Sequence, residues 1–106
     1  MSNEPSKSPT RDLEVHKFVV TESPFHISGP PVMKWLHCAN QAGKICVWGL
    51  VDVDADHVES FIILLATGEM MPELMLGQFI GTTWTGDYPY EFVWHLFERS
   101  KGEVWA

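Results

Sequence analysis

The sequence predicts an all-β protein: a small antiparallel barrel or sandwich of about six strands, with a short helical turn at most. Three observations carry that prediction. From Leu13 onward, short runs rich in Val, Ile, Phe and Trp alternate with Gly, Pro, Asn and Asp, the punctuation of strands and turns. The longest apolar run, Phe61 to Ala66, is strand-sized. One segment, Asn40-Gln-Ala-Gly43, reads as a short hairpin loop, with Gly43 supplying the positive φ that a bulged turn requires.

The elements follow in order. Met1 to Asp12 holds Ser, Pro, Lys, Asn and Thr, with no large apolar residue after Met1. It reads as a disordered tail, leaving residues 13–106 as a single β domain. Glu14 to Val20 is the first strand. Thr21 to Pro31 contains Pro24, Gly29, Pro30 and Pro31, which favour extended or turning backbone; Phe25-His-Ile27 fits a short strand within it. Met33 to Asn40 and Lys44 to Asp52 flank the hairpin loop. Val53 to His57 is an acidic loop. Val58 to Thr67 is apolar on both faces, as a central strand would be. Gly68 to Leu76 allows one or two helical turns with Pro72 in the first turn. Gly77 to Trp84 and Tyr90 to Arg99 close the domain, and Gly102 to Ala106 is a tail.

At 106 residues the chain supports one core. Its net charge of −7 falls wholly on residues 13–106, because Glu4, Lys7, Arg11 and Asp12 cancel. Such a body repels duplex nucleic acid and anionic membrane at long range. A small phosphate ligand needs only a few donors, some of which backbone N–H groups can supply. The N-terminus has no signal-peptide pattern and no segment has membrane-spanning length, so a cytoplasmic location is expected. Cys38 and Cys46 lie on neighbouring strands. A pair across the hairpin is conceivable, but two half-buried thiols are the plainer reading.

Catalytic signatures are absent from the sequence. The five histidines form no His-x-x-x-His pair, and neither cysteine stands at zinc-ligand spacing. No nucleophile elbow occurs, and His37 and Cys38, as strand neighbours, point to opposite faces. No phosphate-cradling glycine motif is present. Gly81, inside a strand, marks a bulge or the close approach of another backbone or a ligand. The expectation is a protein without enzymatic activity, resident metal or cofactor.

Binding is left, and the last third of the chain is where the residues for it gather. The loop after the sixth strand carries Trp84, Tyr88 and Tyr90 beside Gly86, Asp87 and Pro89. Flat rings at a polar loop suit bases or a partner protein. Thr82 and Thr83 offer hydroxyls, and Lys17, Lys34 or Arg99 could bring positive charge from elsewhere. On the final strand Phe92, Trp94 and Leu96 alternate with Val93, His95 and Phe97. Both faces being apolar, one expects a second subunit or sheet over one of them, hence a homo-oligomer, dimer or tetramer.

Five motifs in order, Gln41-Ala-Gly43, Val47-Trp-Gly-Leu-Val-Asp52, Ala66-Thr-Gly68, Phe79-Ile-Gly-Thr82 and Val93-Trp-His-Leu-Phe-Glu98, resemble a family of small phage-encoded proteins described as a domain of unknown function. The likeness covers residues 14–99. It departs at Ala66, where the pattern has glycine, and in the more aromatic loop from Thr83 to Tyr90. Small oligomeric phage proteins of this general kind include sponges that sequester immune second messengers, such as the cyclic dinucleotides of CBASS or the cyclic ADP-ribose signals of Thoeris. What the resemblance implies is a non-enzymatic anti-defence protein capturing a cyclic nucleotide at subunit interfaces. Trp84, Tyr88 and Tyr90 would stack on bases, Thr82 and Thr83 would bond phosphate or sugar, and Arg99 or Lys17 would balance charge. The alternative is an interaction module that binds a host factor or joins a phage assembly.

Overall fold

The computed structural model describes residues 12–100; the expected tail at residues 1–11 and the segment after Ser100 lie outside them. Seven strands run β1 (Leu13–Val20), β2 (Phe25–Gly29), β3 (Val32–Gln41), β4 (Lys44–Asp52), β5 (Val58–Ala66), β6 (Gln78–Thr85) and β7 (Phe92–Ser100). A single 3-10 turn, Glu73–Met75, follows Pro72 between β5 and β6. The strands form two antiparallel sheets, a three-stranded one ordered β1-β4-β3 and a four-stranded one ordered β2-β5-β7-β6. The fold is a sandwich rather than a closed barrel, and β5 is interior to its sheet, as its two apolar faces require.

Alternation decides which side chains meet between the sheets. Cross-strand partners share a face, so Val20 with Ile45, Phe18 with Val47, and Cys38 with Val47 all point inward from the three-stranded sheet. Ile62, Leu64, Leu96 and Trp94 do so from the other. Val20, Ile45, Val47, Ile62 and Leu96 with Ile27 form the buried cluster, and the others pack against it with Phe25, Trp35 and Ile80. Gly49 leaves room for the Trp35 indole, whose six-membered ring lies 3.1 Å from where a Cβ would stand. The indole N–H of Trp35 then donates to Glu98 Oε1 across the sandwich at 2.8 Å.

The two sheets meet most closely where β3 passes β6. At Gly81 an added Cβ would stand 2.6 Å from Cys38 Sγ, too near for any larger residue. A bulge between Phe79 and Gly81 aims Ile80 at the core. The expected bulge at Gly81 is present, and what approaches the glycine is the Cys38 side chain rather than another backbone or a ligand. The hairpin loop also forms as expected, with Gly43 at φ 83°.

Register answers the cysteine question. Cys38 is paired with Val47, whereas Cys46 is paired with Ala39, so the two thiols project from opposite faces of one sheet and both are free. Burial pushes the Cys38 thiol above its ordinary pKa. Cys46 is buried although its face is the outer one. Lys17 on β1 reaches diagonally across the central strand to donate to Gln41 Oε1 on β3, a path that crosses the Cys46 position.

The Gly81 approach makes a specific prediction. Gly81→Ala should cost about 1–3 kcal/mol in urea unfolding through overpacking. Adding Cys38→Ala, which removes the opposing sulfur, should bring the double variant closer to wild type than Gly81→Ala alone.

Candidate functional site

The β6–β7 hairpin ends in a tip, residues 86–91, that the chain holds at both feet. On the β6 side, Asn40 Nδ2 donates to the Trp84 carbonyl at 2.8 Å, while Asn40 Oδ1 accepts from the Gly43 N–H at 2.9 Å. One side chain thus ties the β3–β4 turn to the start of the tip. On the β7 side the Trp94 indole donates to Thr85 Oγ1 at 2.9 Å. Gly86 takes φ 89°, and a Cβ there would meet the Tyr90 carbonyl at 2.6 Å. The Tyr90 N–H closes the turn on the Asp87 carbonyl.

With the backbone held, the rings face outward. Trp84, Tyr88 and Tyr90 are 51, 85 and 80 % exposed, and Phe92, which its pairing with Thr85 puts on the Trp94 side of the sheet, is 61 % exposed. Trp84 is paired with Val93 on the outer face of the four-stranded sheet, so the aromatic tip continues down that face. Phe79 and Phe97 pack edge to face there, centroids 5.4 Å apart. Between these two pairs sits His95, whose Nδ1 meets Thr82 Oγ1 at 3.0 Å and whose Nε2 meets Thr67 Oγ1 at 2.8 Å. A hydroxyl on an imidazole is the beginning of a nucleophilic site. Here both ring nitrogens are bonded to threonine hydroxyls, which fixes the ring in place.

Three cavities cluster around the same end of the sandwich. One of about 300 Å³ is lined by Asn40, Gly43, Trp84, Gly86 and Asp87. A second, about 320 Å³, lies between the sheets, with Lys44, Thr85 and Trp94 in its wall. The third, about 500 Å³, adds Met71 and Met75 of the β5–β6 connection and shares Leu64 and Trp94 with the second. Each lies in the lower half of the range typical of small-molecule sites.

Of the residues singled out from sequence, Trp84, Tyr88 and Tyr90 come together at the tip. Thr82 lies on the same outer face but is bonded to His95. Thr83 is buried on the inner face, because alternation turns it away from its neighbours Thr82 and Trp84. Arg99 is buried at the opposite end of β7, paired with Phe61 of β5. Lys17 belongs to the outer face of the other sheet, with its ammonium 5.8 Å from the Trp48 ring. The two cations assigned to phosphate therefore do not reach the aromatic tip. Asn40 and Lys44, which sequence reading passed over, border the site instead. They come from a turn some forty residues earlier, and only the packing of β3 beside β6 brings them in. Among the described residues no three His, Cys, Asp or Glu side chains converge as a metal cluster, and no helix is long and apolar enough to cross a membrane.

Residues 12–106 match the model of a family described as a domain of unknown function, DUF7352, and the chain belongs to that family. No curated protein matches the chain. No solved structure matches it either.

If Asn40 holds the tip as described, Asn40→Ala should cost about 1 kcal/mol for each bond lost. It should also speed amide hydrogen exchange at Gly43 and along residues 84–91, read by mass spectrometry, while the β4–β1 amides keep their protection.

Proposed function

We propose that this protein is a non-enzymatic binding module that docks on a partner protein through the β6–β7 tip. The observation that carries the reading is the exposure of four aromatic side chains within nine residues on a backbone anchored at both feet. Tyr and Trp supply large contact area at small entropic cost, and they dominate the energetics of protein interfaces. Tyr88 and Tyr90 stand on an open surface, outside the cavities that Trp84 and Trp94 line. Asp87 and Glu91 flank them and favour a partner surface that is neutral to basic. Phe79 and Val93 extend the apolar area down the sheet, toward the size that a specific interface needs.

A second reading keeps the sponge, in which the chain sequesters a cyclic nucleotide signal as a phage anti-defence protein. It is favoured by the inter-sheet cavity, lined by Trp94 and Thr85 and, at the rim where β4 begins, by Lys44. That arrangement offers one cation and one ring. A cyclic dinucleotide brings two phosphates, and with Arg99 buried and Lys17 on another face the second charge lacks a counterpart there.

Two measurements separate the readings. Replacing Tyr88 and Tyr90 together by alanine should leave the unfolding temperature unchanged, since both side chains are exposed. It should weaken partner binding by more than about 2 kcal/mol, the loss expected of interface anchors. A photo-crosslinking residue at position 88 should yield one stoichiometric protein adduct. If the crosslink gives no adduct and a cyclic nucleotide raises the melting temperature in a manner abolished by Lys44→Ala, the sponge reading replaces the docking one.

A further inference from the structure

A sandwich of two open sheets has four edge strands, and an unpaired edge invites another strand unless something blunts it. Three of the four edges here are blunted. β2 is only five residues long and is bracketed by Pro24 on one side and by Pro30 and Pro31 on the other. β3 is broken by two register shifts and β6 by one. These two also lie against each other, tied by Asn40 and the Trp84 carbonyl.

β1 has none of these protections. It is eight residues long, pairs with β4 in unbroken register from Leu13 to Val20, and contains no proline, glycine or bulge. Its other edge has no backbone partner among the described residues. A lysine on an edge strand ordinarily guards it, but Lys17 is drawn back over the sheet to Trp48 and Gln41. What stands at the edge is apolar, with Leu13 exposed and Val15 56 % exposed.

From this we infer that β1 is a pairing edge whose occupant is β1 of a second copy of the chain, antiparallel, joining two three-stranded sheets into one of six. The edge is complementary to itself, which selects a second copy: residues 13–20 carry one carboxylate, Glu14, with His16 two positions on, and an antiparallel twofold can set each against the other. The faces restrict the register, and setting Glu14 against His16 selects the one centred on Val15. Leu13, Val15, Lys17 and Val19 point outward, and a continuous sheet must set outward residues opposite outward residues. Centred on Val15, the pairing places Val15 on the twofold axis and Leu13 opposite Lys17. It also sets Glu14 of each copy opposite His16 of the other. That exchanges the contact Glu14 and His16 now make within one chain, 3.0 Å, for two reciprocal contacts between chains. A twofold interface of this kind is isologous and closed, so assembly stops at the dimer.

The test uses the full chain and sedimentation equilibrium over a concentration series. The wild type is expected to be a dimer that dissociates on dilution. Val15→Glu, which sets two carboxylates face to face on the axis, is expected to be a monomer with an unchanged thermal unfolding curve. Val15→Cys under mild oxidation should form a covalent dimer released by reductant, whereas Leu13→Cys should not, because its partner position is Lys17. A wild type that stays monomeric up to its solubility limit overturns the inference, and so does a Val15→Glu variant that still dimerises. If Val15→Glu fails to fold, the pair of cysteine variants decides: crosslinking at position 13 rather than 15 also overturns it.

Discussion

The close approach of β3 to β6 is the constraint on which the rest of the structure depends. Each sheet has an apolar face that is stable only when covered. Here the covering is tightest at one seam, where the absence of a side chain at Gly81 admits the Cys38 sulfur. Trp35 reaches Glu98 along the same seam. The seam also sets the asymmetry of the molecule. It gathers two edge strands against each other and leaves β1 and β2 as the edges of the other side. β2 is protected by its brevity and its prolines, so the unguarded edge and the seam lie at opposite ends of one three-stranded sheet.

The same seam makes the aromatic tip usable. A loop with large exposed rings ordinarily loses binding energy to the entropy of ordering it. In this chain the tip leaves β6 beside the β3–β4 turn, and Asn40 satisfies a backbone group of each. Trp94 secures the returning strand through Thr85. The backbone is thereby organised before any partner arrives. The rings stay in solvent because alternation has already committed Trp94 and Leu96 to the core and sent Val93 and Trp84 outward.

Much of this was legible in the sequence, and the limits are physical. Strand positions, the Gly43 turn and the bulge at Gly81 follow from local chemistry, which a linear reading can see, whereas Pro72, expected in the first helical turn, caps the 3-10 turn from outside it. Tyr88 stands among turn residues as read, whereas Tyr90, read as the start of the last strand, falls in the exposed tip because β7 begins at Phe92. Side-chain direction at neighbouring threonines was not used: period-two alternation already forbids Thr82 and Thr83 from acting on one ligand, since one must face the core. The positions of Asn40, Lys44 and Arg99 were not legible at all. They depend on which sheet edges meet and at what register, and no spacing within one strand encodes that.

Charge shows the difference between a sum and an arrangement. The net value of −7 says nothing of where the few cations stand. Lys17, Lys34 and Lys44 are paired in register with Trp48, Leu50 and Gln41, so all three lie on the outer face of the three-stranded sheet, and Arg99 is buried. Among the described residues, the aromatic tip is left with Asp87 and Glu91 and, at its border, the ammonium of Lys44. Exposed charges are screened beyond roughly a Debye length, about 8 Å at physiological salt, so cations on the opposite face cannot serve a ligand at the tip. A phosphate bound there would lack its counter-charge, whereas a protein partner carrying its own arginine or lysine would supply it. The arrangement of the chain's own charges, more than its aromatic content, is what favours docking on a protein over capture of a nucleotide.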